Sequence, residues 1–208
     1  MNCFDRHAAD YDAWFYENDK LFDSEYDALS CLLESGVEYT EVGVGTGIFA
    51  QRLGIRRGVE PCESMARFAK ERGIEVVSAS AQNLPFADGE AQGLVMITVD
   101  CFVKDLSEVF REAHRALNDG GSYVVAFIDA GTPLGKRYEE FKEDSVYYKG
   151  AVFRSFDEIS DLLSEAGFSV IRCVQTVFTL DNVAQPVREN HGGGVFAVIK
   201  AEKEIEKC

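Results

Sequence analysis

A glycine-rich loop between a short apolar strand and a helical pattern is the segment of this sequence with the clearest chemical meaning. It reads Glu41-Val42-Gly43-Val44-Gly45-Thr46-Gly47. Glycine lets a turn adopt dihedral angles that other residues avoid, and it lets a ligand approach the backbone. In open parallel sheets, ligands bind beyond the carboxyl ends of the strands, where this loop falls. The loop therefore predicts a site for a nucleotide-like molecule.

The spacing of the glycines and the acid before them favour a cationic ligand. Dinucleotide-binding loops follow the pattern G-x-G-x-x-G, whereas Ile48 stands where the third glycine of that pattern would be. Glu41, at the end of the strand, would repel the phosphates of a dinucleotide and attract a positive group. The sulfonium and ammonium groups of S-adenosylmethionine suit this charge better than the pyrophosphate of NAD.

A second acid follows the next predicted strand, in Gly58-Val59-Glu60-Pro61. A carboxylate can accept hydrogen bonds from both hydroxyl groups of a ribose, which is why such sites use Asp or Glu. Glu60 alone is equally well explained as a surface residue at the end of a strand. Together with the glycine loop, it favours a ribose-binding site.

Short apolar segments alternate with helical patterns along most of the chain. The predicted strands are Tyr39–Val44, Arg57–Glu60, Glu75–Ala79, Gly93–Val99, Ser122–Asp129, Phe168–Phe178 and Gly194–Ala201. The predicted helices between them are Phe49–Leu53, Glu63–Arg72, Leu106–Leu117 and Phe156–Ala166. This alternation predicts an α/β fold, a doubly wound and mostly parallel sheet with helices on both faces. No helix separates the last two strands, so they are expected to form an antiparallel hairpin.

Two further segments complete what we predict to be one domain over residues 1–208. Apolar residues recur at spacings of three and four over residues 4–16, and Ser24–Leu33 carries a second apolar stripe. Residues 1–36 are therefore expected to form an amino-terminal helical cap. Residues 131–154 interrupt the alternation and are rich in aromatic residues, which predicts a helix and loop inserted over the active site.

Several ordered motifs resemble those of class I S-adenosylmethionine-dependent methyltransferases, in the short single-domain branch that acts on small molecules. They are Phe4–Asp12, Glu41–Gly47, Gly58–Pro61, Ala81–Phe86 and Leu117–Gly121. The resemblance implies a Rossmann-like, seven-stranded sheet whose last strand is antiparallel, in agreement with the predicted hairpin. It also implies that S-adenosylmethionine is the cofactor, that S-adenosylhomocysteine is the product, and that a methyl group passes to a small nucleophile by in-line displacement.

The same resemblance implies a role for individual residues in binding the cofactor. Glu41 would orient the methionine ammonium, and Glu60 would hold the ribose hydroxyls. The methionine and ribose would lie against Gly43, Gly45 and Gly47. The adenine would contact Pro61, Met65, Ser80, Ala81 and Gln82, and Thr98 would lie beside the methyl group. The family often has Asp at the position of Ser80 and Glu at that of Gln82, so the adenine contacts depart from its usual pattern.

The acceptor side of the site is less clearly marked in the sequence. Residues that would face the substrate are Asp100, Cys101, Asp129, Tyr147, Tyr148 and His191. Asp129 is almost as well explained as a turn cap, the two tyrosines as packing of the insertion, and His191 as a loop residue. Many relatives carry a histidine where this chain has Cys101, so no general base is evident on that loop. A thiolate, a neutral amine or a soft inorganic nucleophile would need none.

Two alternatives to a methyltransferase stay open on the sequence. A module of the same fold could bind the cofactor without turnover, which the altered adenine positions and the missing base would permit. A nucleotide-dependent oxidoreductase could use a similar sheet, although Ile48 and the two acids argue against it. A nucleic-acid methyltransferase would be expected to carry a basic face and an Asn-Pro-Pro-Tyr-like string, and neither is present.

Charge and composition restrict the partners. The formal net charge is −15 without a basic block, so we expect no nucleic-acid partner. No apolar stretch is long enough to span a membrane, and the amino terminus lacks the features of a signal peptide, so a cytoplasmic protein is expected. The cysteines lack metal-binding spacing, which predicts reduced thiols and no metal site. The expected partner is a small methyl acceptor, bound by a monomer or a homodimer.

Overall fold

The secondary structure follows the predicted alternation of strands and helices. A computed structural model of the protein describes residues 4–204, with side chains from residue 7 onward. The helices are α1 (Phe4–Glu17), α2 (Asp19–Ser30), α3 (Ile48–Leu53), α4 (Glu63–Glu71), α5 (Leu106–Ala116), α6 (Pro133–Phe141) and α7 (Phe156–Glu165). The strands are β1 (Tyr39–Val42), β2 (Arg57–Val59), β3 (Glu75–Val77), β4 (Ala91–Ile97), β5 (Leu117–Ile128), β6 (Phe168–Thr176), β7 (Arg188–Glu189) and β8 (Phe196–Lys203). Short 3₁₀ turns cover Asp100–Phe102 and Lys142–Asp144.

All of these strands form one sheet, in the order β3-β2-β1-β4-β5-β8-β6-β7. Strands β1 to β5 run parallel, and β8 lies antiparallel between β5 and β6. This confirms the doubly wound, mostly parallel sheet and the antiparallel hairpin near its end. The sheet has eight strands rather than the seven expected. The additional strand, β7, is two exposed residues long and pairs with Val174 and Gln175 of β6.

The two central strands supply core residues to both faces of the sheet. In β4, Leu94 and Met96 join the hydrophobic core formed with α5 and α7. Val95 and Ile97 join the core formed with α1, α2 and α3. A parallel strand covered on both faces is apolar along its whole length, which is why these strands read as continuous apolar runs. The carboxyl ends of β1, β2 and β4 therefore come together at one edge of the sheet.

Side-chain caps determine where the helices near that edge begin. The Thr132 hydroxyl accepts a hydrogen bond from the Gly135 N–H at 3.0 Å, and Pro133 occupies the first turn of α6. Ser155 and Glu158 form a reciprocal capping box at the start of α7. These caps give the segment 131–154 defined ends, and it forms the expected helix and loop.

The amino-terminal helices differ in their bounds from the sequence prediction. The second helix covers Asp19–Ser30 instead of Ser24–Leu33. Its first turn is held by Asn182, whose Oδ1 accepts the backbone N–H of Lys20 at 2.9 Å and whose Nδ2 donates to the Glu17 carbonyl at 3.1 Å. This anchor comes from the loop after β6, a contact distant in sequence, so the local pattern did not reveal it.

The described residues contain no helix that is long and apolar enough to cross a membrane. They also contain no group of three or more His, Cys, Asp or Glu side chains placed to hold a metal ion. Cys31, Cys101 and Cys173 are free thiols. Cys3 and Cys208, with the rest of residues 1–3 and 205–208, lie outside the described residues.

Candidate functional site

The glycine loop connects β1 to α3 at the carboxyl edge of the sheet. Gly43 has a φ of +73°, a conformation that favours glycine. A methyl group added to it would lie 2.4 Å from Val99 Cγ2, so no side chain fits there. The backbone N–H groups of Gly43 and Val44 donate to the Val59 carbonyl at 2.7 and 3.0 Å, which joins the loop to β2.

Glu60, directly after β2, binds the same loop through its carboxylate. Its Oε2 accepts the Gly45 N–H at 2.9 Å, and its Oε1 accepts the Cys62 N–H at 2.8 Å. Burial raises the pKa of Glu60, and these two hydrogen bonds oppose the rise. Each oxygen keeps a second lone pair that can accept a hydroxyl proton.

Glu41 lies in β1, two residues before Gly43, and is 3% exposed. Its Oε2 has no hydrogen-bond partner among the described residues. Burial raises the pKa of Glu41 well above its usual range, and repulsion by Glu60 adds to the rise. A hydrogen bond from the Ala50 backbone opposes the rise only in part. A buried acid with one unpartnered oxygen, close to a second acid, is stabilised by a cation.

A cavity of about 540 Å³ opens beside these residues. Eight of the residues proposed from the sequence line it: Gly43, Gly45, Glu60, Pro61, Met65, Thr98, Tyr147 and Tyr148. The other nine do not line it: Glu41, Gly47, Ser80, Ala81, Gln82, Asp100, Cys101, Asp129 and His191. The volume falls within the range of roughly 300–1,000 Å³ typical of small-molecule sites.

Several of the residues outside the cavity have a visible packing or turn role. Gly47 has a φ of +77° at the start of α3, and a methyl group there would lie 2.4 Å from Ile74 Cδ1. Ser80 forms a bridge with Asn83 in the turn that follows β3, and Ala81 is buried beside it.

Thr98 follows β4 and lines the cavity with an unusual backbone conformation. Its φ is +52°, and its N–H donates to the Ala126 carbonyl at 2.7 Å. A β-branched residue seldom adopts this conformation, and such strain is concentrated at binding sites and active sites.

Asp100 and Cys101 are buried in the 3₁₀ turn after Thr98. Arg154 donates from Nη1 to the Asp100 carbonyl at 2.7 Å, while both oxygens of the Asp100 carboxylate lack a partner among the described residues. Burial raises the pKa of Asp100 to about 7, against the nearby charge of Arg154. Burial also raises the pKa of the Cys101 thiol well above its usual value. Neither side chain is placed as an exposed nucleophile.

His191 and Asp129 both contact Phe156, the first residue of α7. The His191 ring stacks on Phe156 with centroids 3.7 Å apart. Asp129 Oδ1 accepts the N–H groups of Gly131 at 2.8 Å and of Phe156 at 3.1 Å. Asp129 thus has the contacts of a turn cap.

Glu25 is a cavity residue that the sequence reasoning missed. It lines the cavity from α2, whose buried residues include Leu21, Ala28 and Leu29. Since Glu25 is four residues from both Leu21 and Leu29, it lies within the apolar stripe of the helix. An acid inside such a stripe was the signal that could have identified it.

Arg72 joins the cap to the glycine loop, and it was also missed. Its Nη1 donates to the Thr46 carbonyl at 2.8 Å, and its Nη2 forms a short ion pair with the buried Asp12 of α1. The cap is therefore held to the loop that borders the cavity.

The strand order, the glycine loop at the end of β1 and the acid after β2 define a Rossmann-like domain of the kind that binds nucleoside cofactors. A family model described as a methyltransferase domain matches residues 40–125. A crystal structure from Thermotoga maritima, described as an S-adenosylmethionine-dependent methyltransferase and possible histamine N-methyltransferase, is 40% identical with a TM-score of 0.93. The match covers 97% of this chain and 98% of that one.

Two curated relatives extend the comparison. The malonyl-[acyl-carrier protein] O-methyltransferase of Geobacter sulfurreducens is 32% identical over 88% of this chain and 73% of its own length. An uncharacterized protein of Methanocaldococcus jannaschii is 41% identical over 98% of this chain and its own full length. The chain belongs to the S-adenosylmethionine-dependent methyltransferases, with the single-domain class I fold. S-adenosylmethionine is its cofactor.

Proposed function

We propose that this protein transfers the methyl group of S-adenosylmethionine to a small-molecule nucleophile. The observation that carries the proposal is the one cavity that continues from the glycine loop and Glu60 to side chains of the cap and of the insertion. It provides space for an acceptor next to the cofactor.

The residues at the glycine loop fit this cofactor. The unpartnered Oε2 of Glu41 and the repulsion of this carboxylate by Glu60 favour a ligand with positive groups. We assign the methionine ammonium to Glu41 and the ribose hydroxyls to Glu60. When bound, S-adenosylmethionine supplies a methyl group on a positively charged sulfur. Pro61 and Met65, which line the cavity beyond Glu60, would flank the adenine.

Adenine contacts at Ser80, Ala81 and Gln82 stay a proposal. These residues form the turn after β3, the strand beside β2. They do not line the cavity, so any contact with adenine requires a cofactor that reaches beyond it.

We call the part of the cavity walled by the cap and the insertion the acceptor chamber. Its walls include Tyr11, Trp14, Glu25, Tyr138 and Tyr148. We propose that residues 131–154 close the site together with the cap. Their role would be to exclude water and to orient the acceptor, and orientation alone contributes roughly 7–11 kcal/mol to such reactions.

The names of two relatives refer to different kinds of acceptor. The Thermotoga protein is described as a possible histamine N-methyltransferase and the Geobacter protein as an O-methyltransferase of a carrier-bound malonyl group. The net charge of −15 and the size of the cavity support a free small molecule over a nucleic acid. We place the protein in the cytoplasm as a monomer or homodimer.

Calorimetry with S-adenosylmethionine, followed by measurement of S-adenosylhomocysteine release over a panel of thiols, amines and alcohols, tests the proposal. We expect binding, and product with at least one class. Absence of binding by the intact protein would contradict it. Binding without product across the panel would instead support a cofactor-binding module.

A further inference from the structure

The acceptor chamber contains a carboxylate that has no partner among the described residues. Glu25 enters it from α2, and none of the described residues donates a hydrogen bond to its oxygens or forms an ion pair with it. Burial raises the pKa of Glu25 to about 8. Glu25 is half-buried, with its carboxylate facing the cavity. A carboxylate partly shielded from water and without a partner is costly, so its presence in a ligand cavity points to a ligand that completes it.

Tyrosine side chains share the space around Glu25. Burial is the main cause of the raised pKa of Tyr11, of Tyr138 and of Tyr148, and the charge of Glu25 adds to each, so all three hydroxyl groups are within electrostatic reach of its carboxylate. In Tyr138 the pKa rises to about 12, first through burial and then through Glu25. The same space therefore combines one negative group with several aromatic rings.

The rings form two groups that both line the cavity. The centroids of Tyr138 and Tyr148 are 5.8 Å apart in an edge-to-face arrangement, and Phe102 stacks on Tyr148 at 6.1 Å. Tyr11 contacts Tyr147 at 5.8 Å. The face of an aromatic ring attracts a cation, and the attraction increases when the site is shielded from water.

Two basic side chains also line the cavity, but neither neutralises Glu25. Lys142 Nζ donates to Glu139 Oε1 at 2.6 Å and to the Ala151 carbonyl at 2.9 Å. Arg137 is exposed. Neither lowers the pKa of Glu25. Among the described residues, the Glu25 carboxyl group therefore has no matching positive group in the acceptor chamber, and a bound cation would stabilise its charged form.

We propose that the methyl acceptor is a small basic amine with an apolar or aromatic body, and that Glu25 is the specificity-determining residue that binds its ammonium group. This rests on the proposed function and names its substrate class. The apolar body lies against the tyrosines and Trp14, while the carboxylate and the ring faces contact the positive nitrogen.

The proton balance of such a reaction is satisfied by the same side chain. An ammonium nitrogen has no lone pair, so it must lose one proton before it can form a bond to carbon. The Glu25 carboxylate accepts that proton and becomes a neutral carboxylic acid, while the amine gains its lone pair. The nitrogen then bonds to the methyl carbon as the carbon–sulfur bond breaks, and the sulfur leaves as the neutral thioether of S-adenosylhomocysteine. The methylated product leaves as a cation, and Glu25 returns its proton to water.

Matched ligands test the inference. The probes are phenethylamine and tryptamine, each compared with the alcohol of the same skeleton, on protein saturated with S-adenosylhomocysteine to prevent turnover. We expect each amine to bind at least about tenfold more tightly than its alcohol, as a charge-assisted contact worth about 1.5–3 kcal/mol requires. Glu25→Gln should remove this preference and leave the alcohol affinity unchanged.

Asp27→Asn is the matched control, because Asp27 is an exposed acid on the same helix and lies outside the cavity. Asp27→Asn should keep the preference for the amine. If Glu25 had a purely structural role, Glu25→Gln would weaken the binding of the amine and of its alcohol equally. If no amine binds more tightly than its alcohol, the inference is wrong. Methylation of alcohols or thiols but not amines would overturn the inference about Glu25 and leave the proposed function intact. Failure to bind S-adenosylmethionine would contradict both the inference and the proposed function.

Discussion

Asp100→Asn should change how the stability of the protein depends on pH. The Asp100 carboxylate is buried in the turn after β4, and both its oxygens lack a partner among the described residues. Asparagine has nearly the same shape and carries no charge. The substitution therefore removes the titration of this site with little change in packing.

The size and sign of the effect follow from the pKa. Burial raises the pKa of Asp100 from 3.8 to about 7. Since the folded protein holds this proton more tightly than the unfolded chain, the stabilisation is complete below about pH 3.8 and is lost as the pH rises through about 7. At 1.36 kcal/mol for each pKa unit, the whole effect is about 4 kcal/mol, of which about 3 kcal/mol falls between about pH 5 and about pH 8.5.

Urea denaturation of both proteins across this pH range provides the assay. The free energy of unfolding of Asp100→Asn relative to the native protein should rise by about 3 kcal/mol from about pH 5 to about pH 8.5. Other buried acids, such as Glu41, are present in both proteins and cancel in the difference. Asp27→Asn, at an exposed site, should show no such trend. A difference that stays constant with pH would refute the reasoning, because the carboxylate would then be solvated or paired.

Three further predictions concern the cofactor side of the site. Glu60→Gln should raise the dissociation constant for S-adenosylmethionine by about 10- to 100-fold in calorimetry, since it weakens charge-assisted hydrogen bonds; an unchanged affinity would contradict the ribose assignment. Arg72→Met leaves the buried Asp12 without its partner, so thermal or urea unfolding should show a loss of about 3 kcal/mol and limited proteolysis should cut α1 faster. Equal protection of α1 in both proteins would show that Arg72 does not hold the cap. Gly43→Ala should cost more stability than Gly54→Ala, because both have positive φ but only Gly43 would place its new methyl against another side chain; equal losses would argue against the steric reason.

The parallel sheet and the glycine loop could be predicted because each leaves a direct mark on the sequence. Central strands need apolar side chains on both faces, and the turn at Gly43 needs a residue without a Cβ atom. Strand β7 left no such mark, because two exposed residues show no alternation and pair only with the end of β6.

The acceptor side was harder to predict because its residues come together only in the tertiary structure. Glu25, Phe102 and Tyr138 lie on three different elements, and an acid on a helix usually faces solvent. The positive φ of Thr98 is imposed by its surroundings against the preference of its side chain, so no local pattern indicates it. His191 was a candidate to face the substrate, although a loop residue explained it as well, and its ring stacks on Phe156 outside the cavity.

The cofactor side of the cavity and the acceptor chamber are formed largely by different segments of the chain. Residues 40–125, the stretch matched by the methyltransferase family model, hold the loop and the acids that we assign to the cofactor. Glu25, Tyr138 and Tyr148 lie outside that stretch, on the cap and the insertion. Selection for a new acceptor can therefore act on these outer segments while the sheet and the cofactor site stay the same. A protein built in this way can diversify its substrates without rebuilding its fold, and exchange of residues 131–154 between relatives is a direct route to new methyl acceptors.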